Sequence, residues 1–156
     1  GIPARVRSGN SRADGEGVSL RGAILNGLRA TGVSFPGLQA DLAHAPGAIF
    51  CGADLAMASF VGAMLDEADF SEANLTRAHL HRAMLKNGNL ISTKLVGADL
   101  TAVNLFRGQL EGADLTGADC SGSNLFECEL FEATLQGARF DGCNLKRTKL
   151  EARSAA

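Results

Sequence analysis

Leucine or phenylalanine occupies every fifth position from Phe50 to Leu150, and Cys120 is the one departure among 21 such positions. Two residues before each stands a small side chain: Ala48, Ala53, Ala58, Ala63, and onward to Ala133, Ala138, Cys143 and Thr148. Between the two lies a mostly polar residue, often Asp or Asn, as in "GADL" at 52–55, 97–100 and 112–115. A period of five fits neither ordinary element. On an α-helix five residues advance about 500°, so the leucines would scatter around the axis. On a straight strand an odd spacing throws them onto alternate faces. The pattern requires a backbone that turns a corner once per repeat, and such a chain winds into a coil.

Echoes at 20 residues point to four sides per turn. Met64 and Met84 are 20 apart, as are Asn104, Asn124 and Asn144, and Phe106 and Phe126. The run "CGADLAMASFVGAMLDEADFSEANL" at 51–75 resembles the pentapeptide-repeat family, whose unit is A-(D/N)-L-x-x. The resemblance extends without a break over 48–150, about two thirds of the chain. It implies an all-β fold, a right-handed quadrilateral β-helix with four pentapeptides per coil. Four inward columns follow. Leu55, Leu75, Leu95, Leu115 and Leu135 form one, and Leu65, Leu85, Leu105, Leu125 and Leu145 a second. Phe50, Phe70, Leu90, Leu110, Leu130 and Leu150 form a third; Phe60, Leu80, Leu100, Cys120 and Phe140 form the last.

Upstream the pattern degrades. Leu20, Leu25 and Phe35 keep the frame, but at Leu28 and Ala30 the large and small residues are exchanged. The stretch "PGLQADLAHAPG" at 36–47 reads as a loop leaving the coil and returning, with a recognition loop as the alternative. The expected organisation is a flexible basic arm at 1–15 (Arg5, Arg7, Arg12), degenerate first coils at 16–47, the regular coil at 48–150 and a tail at 151–156. No capping helix is visible at either end. End-to-end pairing of two copies through the C-terminal coil is therefore one expectation.

Composition narrows the function. The net charge of −2 gives no broad basic surface for gripping nucleic acid. No apolar run reaches the length of a membrane span, and no secretory leader is recognisable. The expected location is cytoplasmic, or translocated as part of a larger protein, since the chain starts at Gly1. Cys51, Cys120, Cys128 and Cys143 lack zinc spacing and read as small buried thiols. His79 and His81 flank Leu80 and point outward, and His44 sits in the expected loop. No nucleophile–base pair or phosphate loop emerges, so neither an enzyme nor a cofactor or metal site is expected.

The residue after each central leucine faces outward. Phe106 and Phe126 take that place on consecutive rungs, with Phe131 one corner further on, near Lys86, Lys146, Glu127 and Glu132. Two readings stand side by side: a ladder that stabilises its own face, or a protein-docking patch. The expected function is a non-enzymatic protein-interaction or scaffold module of a larger bacterial protein, an effector or secretion-associated component. The alternative is a DNA-mimicking modulator of type II topoisomerase (gyrase), as some members of the resembled family are. Over 48–150, however, 13 acidic residues face 9 basic ones, a net of only −4. A C-terminal dimerisation helix like that of those relatives is also not expected from "EARSAA" after Leu150.

Overall fold

The computed structural model describes residues 19–149. The arm at 1–15 and the tail at 151–156 lie outside the described residues. The backbone bridges in parallel to the chain 20 residues further on, from Ser19↔Gln39 through to Glu129↔Lys149. At 20 residues per turn, 19–149 make about six and a half turns. We name the four sides by their residues: face A holds 58–60, 78–80 and their 20-residue equivalents, face B 63–65 and 83–85, face C 68–70 and 88–90, and face D 73–75 and 93–95.

A single pentapeptide accounts for every backbone donor. The Leu75 amide donates to the Lys94 carbonyl at 2.8 Å and that of Arg77 to Val96 at 2.9 Å, both one rung onward. The Ala78 amide closes the corner onto the Leu75 carbonyl at 3.0 Å, and that of His79 reaches back to Ala58 at 2.8 Å. One amide is left over, that of Thr76, and it donates to Asn74 Oδ1 at 3.1 Å. This is the physical content of Asp or Asn before each leucine: it accepts from the one amide the ladder cannot reach. Asp54, Asp69, Asn89, Asp99, Asn104, Asp114, Asp119, Asn124 and Asn144 each do the same for the amide two residues on.

The corners demand a left-handed residue. From Gly22 to Arg147 the second corner position has φ between 55° and 71°. Only half of these positions are glycine. Glu67, Glu72, Arg77, Arg82, Asn87 and Ser92 occupy six successive corners. A non-glycine residue there costs about 1–2 kcal/mol, so the ladder and the packed columns hold those corners against local preference.

The interior is stacked as the periodicity predicts. Leu55, Leu75, Leu95 and Leu115 are buried in one column, and Leu65, Leu85, Leu105 and Leu125 in another. Leu135 is only partly buried, and Leu145 is 39% exposed. Leu145 thus departs from the expected core, because it lies in the last described rung with no described rung over it. Phe50 and Phe70 stack within face C with centroids 4.9 Å apart, and Phe60 enters from the opposite face A with its ring edge-on to both at 5.7 Å.

The expected loop at 36–47 is overturned. Gln39 and His44 bridge to Ser59 and Met64, and Leu38, Ala40, Ala43 and Ala45 are buried. Pro36 and Pro46 take the first corner position, whose φ a proline ring already satisfies, and Gly37 and Gly47 take the left-handed second one. The coil is therefore regular from Ser19 onward, where a degenerate start was expected. At Leu28/Ala30 and Leu38/Ala40 the large residue has moved two positions, and both members stay buried. Ala30 underlies Phe50 and Ala40 underlies Phe60 in their columns, so the exchange makes room where the phenylalanine cluster begins.

Candidate functional site

The outward-facing phenylalanines sit where a corner places them. Phe106 and Phe126 occupy the first corner position between faces B and C on consecutive rungs. Their rings stack with centroids 5.5 Å apart and planes 3° from parallel. Both are half-buried, and the Arg107 guanidinium lies 5.0 Å from the Phe106 ring centre. Lys86 stands one rung before Phe106 in this column and Lys146 one rung after Phe126, so the structure brings these four together. Phe131 is not part of that column. It lies at the next corner, between faces C and D, and is 43% exposed.

Face C between the two corners is a shallow charged groove. Arg107 Nε donates to Glu127 at 2.7 Å, Arg147 approaches the same carboxylate at 3.2 Å, and Lys149 Nζ donates to Glu129 at 2.7 Å. The Glu129 carboxylate raises the Lys149 ammonium above the usual lysine value, first through the hydrogen bond and then through its charge. Solvent screening leaves such exposed pairs little weight in stability. On face B beside the rings, Asn124 and Asn144 each donate to the asparagine one rung below at 3.2 Å, a ladder of side-chain amides.

Four further large apolar side chains point outward that the sequence reading missed, on face B, at the corner between A and B and at the corner between D and A. They are Ile24, Leu42, Met57 and Met64, with Ile24 exposed to 77%. The signal was present: Ile24 and Met64 hold the outward central position, and Leu42 and Met57 the second corner position.

Nothing described gathers catalytic groups. His44 Nδ1 lies 2.9 Å from Asn26 Oδ1 and His81 Nδ1 lies 2.7 Å from Thr101 Oγ1, while His79 is exposed. Among the described residues no cluster of three His, Cys, Asp or Glu could hold a metal ion. Cys120 and Cys128 are buried and Cys51 and Cys143 half-buried. Burial pushes the thiols of Cys120 and Cys128 up to about 12. Among the described residues no helix is long and apolar enough to cross a membrane.

Comparison with known proteins agrees with this architecture. The family model for pentapeptide repeats matches residues 39–71, 63–101, 93–130 and 109–147. A comparison with curated proteins returns no match. Among solved structures, a pentapeptide repeat protein (Rfr23) from the cyanobacterium Cyanothece 51142 is 23% identical, with 82% of this chain and 91% of that one covered at a TM-score of 0.53. A pentapeptide repeat protein from the Arabidopsis thaliana thylakoid lumen is 30% identical over 62% of this chain and 70% of its own, at a TM-score of 0.50. QnrB1, a plasmid-mediated fluoroquinolone resistance protein, is 20% identical, covering 80% and 78%, at a TM-score of 0.45. With the five-residue period, the 20-residue bridges and a family match over most of its length, this chain belongs to the pentapeptide-repeat family and folds as its right-handed quadrilateral β-helix.

Proposed function

We propose that this coil is a non-enzymatic protein-interaction scaffold whose docking strip is the corner column Lys86, Phe106, Phe126 and Lys146, with Phe131 on its flank. The stacked Phe106–Phe126 pair carries the reading: two large rings on an outer corner of a rod whose other corners hold mainly small or polar residues. The interior supports it, because among the described residues the closely packed columns leave no internal cavity for a substrate. The reading extends to a module of a larger bacterial protein, acting in the cytoplasm or translocated with it. End-to-end pairing of two copies belongs to it as well, with Leu145 on the surface such pairing would cover. Sedimentation over a concentration series tests that pairing.

The DNA-mimicking alternative is disfavoured by Lys86, Lys94, Arg107, Lys146, Arg147 and Lys149, which break the acidic field along the rod. A gyrase supercoiling assay separates the two readings. An effect at micromolar protein favours mimicry; no effect leaves the scaffold. The scaffold itself is tested by Phe126→Ala. Partner binding should fall while the fold persists. A loss of stability with partner binding intact would assign the rings to structure alone.

A further inference from the structure

We propose that the strip takes an extended acidic segment of a partner protein, with two carboxylates four residues apart and an apolar residue midway between them. This rests on the docking reading above and adds the chemistry of the partner.

Charge carries the first part. Around the two rings stand five cations, Lys86, Arg107, Lys146, Arg147 and Lys149, against Glu127 and Glu129, with Glu111 further out beside Lys149 and Phe131. Both carboxylates are already engaged, Glu127 by Arg107 and Arg147, and Glu129 by Lys149. Lys86 and Lys146 form no ion pair among the described residues. A local excess of positive charge thus sits on a chain whose net charge is −2. The strip stops below Lys86, where Asp66 occupies the next place in the column and takes the Lys86 amide at 3.0 Å.

Geometry carries the second part. Lys86 and Lys146 are three rungs apart, about 14 Å at ~4.8 Å per rung. An extended chain rises ~3.4 Å per residue, so four residues cover the same span. Side chains at alternate positions of such a chain share one side. Residues one and five then face the two ammonium groups, and residue three lies over the Phe106–Phe126 pair. Such a segment can place neutral groups opposite Glu127 and Glu129. A nucleic-acid strand carries a phosphate at every step and meets both carboxylates, so a protein segment is the better fit.

The test is selection from a random heptapeptide library displayed on phage. The full chain, the Phe106→Ala/Phe126→Ala variant and the Lys86→Ala/Lys146→Ala variant serve as baits. The proposal expects peptides of the form acid-x-apolar-x-acid to be enriched on the full chain and lost on both variants. A synthetic peptide from that pool should bind the lysine variant about tenfold more weakly, and the full chain more weakly as salt rises. Enrichment that needs the phenylalanines but selects basic or neutral peptides overturns the acidic chemistry and leaves the docking strip standing. No enrichment that depends on the phenylalanines overturns both. Tighter, phenylalanine-dependent binding of a twelve-nucleotide oligothymidine than of any selected peptide overturns the proposal in favour of nucleic acid.

Discussion

Asp41 accepts the amide of Val61 at 3.0 Å, one full turn of the coil away, and also takes the Ser59 hydroxyl. At ten other corners an Asp or Asn two residues back, on the face just before the corner, serves that amide. The position two before Val61 is Ser59, so the acceptor comes from the rung below instead. Asp66 does the same for Lys86, whose corner has Met84 in the asparagine place.

Removing this acceptor should therefore act at a distance. Asp41→Ala leaves the Val61 amide and the Ser59 hydroxyl without their partner and should lower stability by about 1–3 kcal/mol. Asp54→Ala, which strips the Ala56 amide within its own corner, should fall in the same range. Urea midpoints of the two variants provide the measurement. A neutral Asp41→Ala would mean that water replaces the acceptor without loss.

The interior conserves volume per layer, and this can be tested as a cycle. Leu80→Ala should cost about 2–5 kcal/mol and Ala78→Leu about 1–3 kcal/mol. The double variant recreates the order found at Leu38/Ala40 and should cost less than the sum of the two. Strict additivity in chemical denaturation would show that the exchange is tolerated only near the start of the coil. Ala113→Leu, with no compensating change, should keep the full overpacking penalty of about 1–3 kcal/mol.

Phe60 bridges the two halves of an aromatic cluster, with its edge against both Phe50 and Phe70. Phe60→Ala should cost about 3–5 kcal/mol. Phe60→Leu places the side chain that the next rung carries at Leu80, and it should cost well under half as much. Thermal unfolding of both variants distinguishes ring packing from mere filling of the column.

Acid should loosen the corners. The Thr116 hydroxyl, and then its amide, hold the Asp114 carboxyl below the ordinary value of 3.8. The unfolded chain therefore binds the proton more readily, and stability from this site is complete above the unfolded value. That stability is lost as pH falls through the lower folded value. Thr116→Val should weaken the dependence, and Asp114→Asn should abolish its share. Urea midpoints between about pH 5 and pH 2 report the change. An acid limb unchanged by Asp114→Asn would place the dependence elsewhere.

Thiol chemistry should report the interior. Cys128 donates to the Leu105 carbonyl at 2.8 Å from a buried position, and burial holds its thiol and that of Cys120 at about 12. A disulfide reagent at pH 8 should modify Cys120 and Cys128 only as fast as the coil opens. Rapid labelling of all four cysteines in the native protein would contradict the packed interior.

Much of this molecule was legible in its residues. The leucine period alone required a corner every five residues; the 20-residue echoes of Met64/Met84 and Phe106/Phe126 pointed to four sides, which the family resemblance implied and the 20-residue bridges show. Those are local facts, since the residue that points inward is fixed by its place in the pentapeptide. The failures share a cause. At 36–47 the Pro-Gly pairs taken alone suggest a departure from the coil, although Pro36–Gly37 and Pro46–Gly47 suit the two corner positions that every repeat needs. Leu28 and Leu38 broke the spacing of large residues but not the volume of their layers.

The sequence by itself determined the repeat, the inward columns and the corner on which each phenylalanine would sit. Only the tertiary structure decided which neighbours those corners share. Rung-to-rung stacking set Phe106 parallel to Phe126, gave the Glu127 carboxylate to both Arg107 and Arg147, and supplied Asp41 to an amide 20 residues away. Those contacts join residues a whole turn apart, and side-chain direction at the surface is chosen by what lies on the adjacent rung, which no single pentapeptide contains.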